Sequence, residues 1–98
     1  MARFRLSPKA QQDILEISDF IRRDNPLRAL TFVRELRAKI AAAAQNPLHY
    51  RDRTELKQGV RAARHGQYLI LFRFDGQIVE VLRVRHGATE MGELFEEG

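Results

Sequence analysis

The sequence predicts an α+β domain: an N-terminal strand, an antiparallel helix hairpin packed on a small antiparallel sheet, and a short C-terminal helix. Three observations carry that prediction. Two amphipathic segments each open on a capping residue followed by proline, Ser7-Pro8 and Asn25-Pro26. A proline-free stretch from Gly59 to Gly87 is rich in β-branched and aromatic residues and is cut by two turn signals, His65-Gly66 and Asp75-Gly76. Between these regions lies a polar, charged loop over residues 46–59.

The elements follow in order. Phe4, Arg5 and Leu6 read as a short first strand. Ser7 is suited to N-cap the first helix, with Pro8 at N1, where a missing N–H costs nothing. Ala10, Ile14, Ile17 and Ile21 recur at helical spacing, with Leu15 and Phe20 widening the stripe, and the helix should end near Asp24. Asn25-Pro26 repeats the start signal. Leu30, Val33, Leu36, Ile40 and Ala43 or Ala44 form the second stripe, which Asn46-Pro47 ends. So short a connection implies an αα-hairpin. In the loop that follows, His49, Tyr50 and Leu56 are the candidate anchors. Past the sheet, Thr89 is placed to cap a last helix docked by Met91, Leu94 and Phe95, with Glu90 near its positive end.

The turns fix which side chains share a sheet face. A two-residue Asp-Gly loop is a strong hairpin signal, because a type I′ turn needs φ > 0 at both central positions. Two-residue loops set Phe74 opposite Gln77, Phe72 opposite Val79, Ile70 opposite Val81, Tyr68 opposite Arg83 and Arg61 opposite Ile70. One face then carries Arg61, Tyr68, Ile70, Phe72, Val79, Val81, Arg83 and Arg85. The other carries Val60, Ala62, Leu69, Leu71, Ile78, Leu82 and Val84, with Arg64, Arg73 and Glu80. A one-residue slip would exchange the faces of a strand. Both faces are partly apolar, so both need cover.

At 98 residues the chain is expected to be one domain, residues 1–98, burying roughly 60–70% of its unfolded surface. It has no cysteine, hence no disulfide framework and no thiolate metal site. It has no apolar run of membrane-span length and no secretory leader pattern, which fits a cytoplasmic protein without membrane contact. The net charge is +4, from 17 basic and 13 acidic residues. Its distribution matters more: Arg51, Arg53, Lys57, Arg61, Arg64 and Arg73 make the middle basic, while residues 74–98 are net acidic. A basic region meets nucleic acid, or an acidic protein segment, or only solvent.

Common catalytic templates are missing. There is no phosphate-binding glycine loop, no His-Glu-x-x-His and no Gly-x-Ser-x-Gly. His49, His65 and His86 have no metal-ligand spacing, so neither cofactor nor metal is expected. What remains is an arginine cluster, Arg61, Arg83 and Arg85, at one end of a shared face. Arginine binds phosphate and stabilises developing charge. A nuclease would also need a general acid and base, for which His86, His65, Tyr68 and Glu55 are the candidates. Each has a structural alternative: His65 as a turn residue, His86 as a strand end, Tyr68 as a packed aromatic. For Arg83 it is pairing with Glu80 or with an acid of the first helix.

The pieces also form an ordered set. Leu6-Ser7-Pro8-Lys9-Ala10 with Asp13-Ile14 and Ile17 comes first, then Asn25-Pro26 with Ala29 and Phe32. Asn46-Pro47, Glu55-Leu56 and Gly59-Val60-Arg61 follow. The most specific stretches are His65-Gly66-Gln67-Tyr68-Leu69-Ile70 and Val81-Leu82-Arg83-Val84-Arg85-His86-Gly87-Ala88. Across essentially the whole chain this set resembles the ParE/RelE superfamily of toxins from bacterial type II toxin–antitoxin modules. The Arg-Val-x-His-Gly pattern is similar to the ParE branch.

The resemblance implies a toxin held inactive by a cognate antitoxin, which would offer an acidic, amphipathic segment. In the ParE branch the target is DNA gyrase. In the RelE branch it is messenger RNA on the ribosome, cut by basic residues and a tyrosine or histidine close to the C-terminus. Residues 89–98 depart from the RelE pattern: they hold no tyrosine, histidine, lysine or arginine, and they carry Glu90, Glu93, Glu96 and Glu97. The favoured reading is therefore a non-enzymatic gyrase inhibitor with Arg61, Arg64, Arg83, Arg85 and His86 at the target contact. The alternative is a ribosome-dependent endoribonuclease using Arg61, Arg83 and His86. A non-toxic basic nucleic-acid-binding module is the third reading.

Overall fold

A computed structural model describes residues 3–87. Strand β1 (Phe4–Leu6) leads into helices α1 (Pro8–Arg22) and α2 (Pro26–Gln45). After a single 3₁₀ turn (Pro47–His49) come β2 (Arg51–Asp52), β3 (Val60–His65), β4 (Tyr68–Phe74) and β5 (Val79–His86). The strands form one sheet in the order β1-β5-β4-β3-β2. The α+β architecture and its N-terminal strand and helix hairpin stand as expected. The expected C-terminal helix, Thr89 onward, lies outside the described residues.

Both helices start where their caps predict. The Ser7 hydroxyl accepts from Ala10 N at 3.0 Å and donates to the Leu82 carbonyl at 2.9 Å. Asn25 Oδ1 accepts from Arg28 N at 3.0 Å. The buried positions are Ala10, Asp13, Ile14 and Ile17 on α1, and Ala29, Phe32, Leu36, Ile40, Ala43 and Ala44 on α2. This corrects the stripes. Leu15 and Phe20 widen nothing, being 60% and 66% exposed, and Leu30 is exposed while Phe32 takes the inward place. On α2 the stripe is offset by one residue at its start, because Phe32 packs on Tyr68 and His65 of the sheet, with ring centroids 5.4 and 5.3 Å apart.

The sheet is larger than the three strands expected, and it is mixed. β1 pairs with β5 in parallel, Phe4 opposite Val79 and Leu6 opposite Val81, while the other pairs are antiparallel. β2 arises within the expected loop, where Arg51 and Asp52 pair with Ala62 and Arg61.

The turns differ from the expected two-residue loops. Phe74 pairs with Val79, so Asp75–Ile78 is a four-residue loop. Asp75 Oδ1 accepts from the backbone N–H groups of both Gln77 and Ile78 at 2.9 Å. Among the described residues no non-glycine has positive φ, so Asp75 cannot hold the type I′ conformation, and within this loop Gly76 alone turns left-handed, at φ 99°. His65 pairs with Tyr68, which leaves Gly66-Gln67 as the first turn.

The consequential difference is a bulge. Phe72 pairs with Val81 but Leu71 pairs with Arg83, so Leu82 is an extra residue in β5. One inserted residue exchanges the faces of all that follows. Val84 and His86 therefore face the helices, opposite Ile70 and Tyr68, and Arg83 and Arg85 take positions opposite Leu71 and Leu69.

Two apolar layers result. The main core, between the hairpin and one sheet face, gathers Leu36, Ile40, Ile70, Phe72, Val79, Val81 and Val84, all at or near zero exposure. Burying side chains of this size contributes roughly 1.5–3 kcal/mol each. The second layer lies on the opposite face, where Val60, Leu69 and Leu71 are buried with Leu56, Ala62 and Leu82 packed against them. Leu56 thus anchors the loop before β3 as expected, and Tyr50 anchors in the main core, whereas His49 is exposed.

Candidate target-contact site

The chemistry-bearing side chains gather where the free end of β5 meets α1 and the β3–β4 turn. Asp13 is the hub. It sits at a core position of α1, 3% exposed, and its carboxylate would be costly to bury unpaired. Arg83 donates to it through Nε (2.8 Å) and Nη2 (3.0 Å), the Val84 backbone N–H donates at 3.0 Å, and Arg85 Nη1 lies at 3.4 Å. Hydrogen bonding to Asp13 holds the Arg83 guanidinium above its ordinary value, against the opposing effect of burial.

Outside this hub a shallow groove of about 310 Å³ is lined by Asp13, Glu16, Ile17, Phe20, Tyr68, Val84, Arg85 and His86. Tyr68 and His86 in its lining stand edge-on at 5.5 Å, and behind them the aromatic row continues to Phe32, which packs against Tyr68. His86 Nε2 lies 2.8 Å from Gln67 Oε1, and the Gly87 N–H donates to the Gln67 carbonyl at 2.7 Å, which ties the strand end to the turn. Arg64 leans over the same place: a side chain at Gly87 would meet its Nη2 at 3.6 Å.

At the far end of the row, His65 Nε2 is 3.0 Å from Glu35 Oε1, and Glu35 also accepts two hydrogen bonds from Arg28. Arg28 and then His65 hold the Glu35 carboxyl below its ordinary value.

The expected site residues are thus divided. Arg85 and His86 share the groove, and Arg64 borders it. Arg83 is turned into the fold by Asp13, the helix acid foreseen as its structural partner. Arg61 is apart: it pairs with Phe72, so it lies on the helix-side face, and its Nη1 donates to the Tyr50 carbonyl at 2.8 Å. The shared face of Arg61, Arg83 and Arg85 is therefore corrected, because the bulge at Leu82 places the last two on the other side. Glu55 is engaged by Arg53 in the loop. Asp13 and Phe20 were not foreseen as site residues. The signal for Asp13 was available: an acid occupies a core position between Ala10 and Ile17 of an apolar stripe. Among the described residues no group of His, Asp and Glu is arranged to hold a metal.

Comparison with known proteins follows the same architecture. The family model described as "ParE toxin of type II toxin-antitoxin system, parDE" matches residues 4–91. No curated protein matches significantly. Among solved structures, a chain of the chromosomal ParDE toxin–antitoxin system from P. aeruginosa is similar at TM-score 0.74. It is 22% identical, covering 88% of this chain and 96% of that one. A chain of the RelBE2 toxin–antitoxin complex from Mycobacterium tuberculosis is similar at TM-score 0.58. It is 26% identical, covering 87% of this chain and 96% of that one.

Proposed function

We propose a function from one premise: the chain belongs to the ParE toxin family of type II toxin–antitoxin systems. On that premise it acts in the cytoplasm by binding DNA gyrase and disturbing its DNA-cleavage cycle, without cutting RNA itself, and a cognate antitoxin neutralises it. Arg85 and His86 in the groove, with Arg64 at its rim, make the target contact, while Arg83 and Arg61 hold the fold that presents them.

The observation that carries this reading is the capture of Arg83 by buried Asp13. A nuclease built on Arg61, Arg83 and His86 would need all three to converge on one phosphate. Arg83 is instead committed to a carboxylate, and Arg61, two strands away from β5, is spent on the Tyr50 carbonyl. That arrangement favours binding over phosphodiester cleavage.

The test sets two assays side by side. The chain, released from its antitoxin, is added to gyrase with relaxed plasmid and, separately, to ribosomes programmed with messenger RNA. Loss of supercoiling with accumulation of cleaved DNA, and intact message, is the expected result. Cleaved message with unaffected supercoiling would transfer the chain to the RelE-like reading.

A further inference from the structure

We infer that the sheet face turned away from the helices is a docking surface for the phosphate backbone of duplex DNA. The inference deepens the gyrase reading and rests on it only for its purpose, since gyrase works with DNA in its grip.

The register builds this face in rows. Arg64 and Arg85 flank Leu69, one strand to either side. In the next row Arg51, Ala62, Leu71 and Arg83 follow one another across four strands. Arg73 stands between Val60 and Glu80 in the third. Arg83 is turned to Asp13 and Arg85 reaches the same carboxylate at the β5 border, so the face rests on Arg51, Arg64 and Arg73 of β2, β3 and β4. Neighbouring strands lie about 4.8 Å apart, and these three cover a front of roughly 10 Å. Arg51, Arg64 and Arg73 are exposed and Arg85 half-exposed.

Most acids that would quench this field are already engaged. Glu80 is held by Arg5, Glu55 by Arg53 and Asp13 by Arg83. Asp52, which accepts only from the neutral Thr54 hydroxyl and N–H, keeps its charge beside Arg51 and offsets part of the field. Among the described residues, Arg51, Arg64 and Arg73 form no salt bridge. A planar guanidinium presents a donor fork matched to phosphate, and several on a broad, rigid face suit a repeating backbone rather than one small anion. Contacts from guanidinium to phosphate carry no sequence information, so the binding is independent of sequence.

The experiment uses the full chain and a fluorescent 20-base-pair DNA duplex, with affinity measured as salt is raised. With about three phosphate contacts the expected Kd is modest, roughly 10 μM at low salt, with a slope of log K on log salt of about −3. Arg51→Ala, Arg64→Ala and Arg73→Gln should each weaken binding several-fold and flatten that slope by about one. Arg23→Ala and Arg34→Ala, which remove equal charge from the helix layer, should leave it unchanged, and thermal melts confirm folding of all five. Equal weakening by the helix-layer variants would overturn the inference, as would no DNA binding at low salt, or tighter binding of an RNA duplex of the same length. Failure here is separable from failure of the gyrase reading. A chain that blocks supercoiling without this DNA contact sinks only the inference. A chain that binds DNA through this face but spares gyrase sinks only the earlier reading.

Discussion

Arg83 and Asp13 join β5 to α1 through two parallel hydrogen bonds, Nε to Oδ2 at 2.8 Å and Nη2 to Oδ1 at 3.0 Å, across 70 residues of sequence. Removing one partner of a buried pair strands the other charge, typically at about 3 kcal/mol. For a domain of this size that lowers Tm by roughly 15 °C. Asp13→Ala and Arg83→Ala should both show this loss, with Arg83→Ala the smaller, because Val84 N and Arg85 still serve Asp13. The double replacement Asp13→Leu with Arg83→Met should recover much of it. A double variant as unstable as the sum of the singles would show that the two residues act separately.

Ser7 does two jobs with one hydroxyl, capping α1 and holding the Leu82 carbonyl at the bulge. Ser7→Ala should cost about 1–2 kcal/mol, more than an ordinary cap loss, because the carbonyl also loses its donor. Ser7→Asp keeps the acceptor but not the donor and should recover part of the loss. Chemical denaturation of the three proteins checks the order.

Phe20 projects from α1 at the groove, and Leu27 and Leu30 are exposed on the neighbouring α2. Exposed as they are, their truncation should move stability by less than about 0.5 kcal/mol. If the antitoxin covers the hairpin, Phe20→Ala and Leu27→Ala should each weaken the complex about tenfold or more, as apolar anchors do. Titration calorimetry against the antitoxin decides it. Unchanged affinity for both would move the antitoxin elsewhere.

Glu35 supplies an acid-side prediction. Its carboxyl is held below its ordinary value of 4.5 by Arg28 and His65. A depressed carboxylate contributes stability that is present above the unfolded value and is lost as pH falls through the folded one. Glu35→Gln should therefore flatten the fall of Tm below about pH 4.5 while changing little near neutrality, where exposed pairs are weak and screened. Parallel acid limbs in variant and parent would rule the residue out as a contributor.

The elements of this fold were legible because their signals are local. Ser7-Pro8 and Asn25-Pro26 announce helices whatever surrounds them, and the runs from Val60 to His86 read as strands by composition. The register was not legible, because it depends on a long-range choice. Asp75 satisfies two backbone N–H groups with its side chain, lengthening the turn, and Leu82 bulges where β1 ends and Ser7 takes its carbonyl. Neither event leaves a mark in the adjacent residues. The arginines stand out by composition alone, but their grouping on one face depended on the register and changed with it. Phe32 was missed as the inward residue of α2 because Leu30 and Val33 offer an equally good helical stripe, and only the aromatic row on the sheet decides between them.

The pairing of β1 with β5 sets a condition on the nascent chain. Among the described residues β1 pairs only with β5, and the cap of α1, the Asp13 hub and part of the core under the hairpin close against residues 79–86. Contacts of such sequence separation form late and slowly. While the ribosome still holds β5 in its tunnel, α2 can meet β3 and β4 through Phe32 and Glu35, but α1 and β1 lack their sheet partner. A half-made molecule therefore lacks the Asp13 hub and the closed cap of α1, and completes them only once residues 79–86 are free to pair.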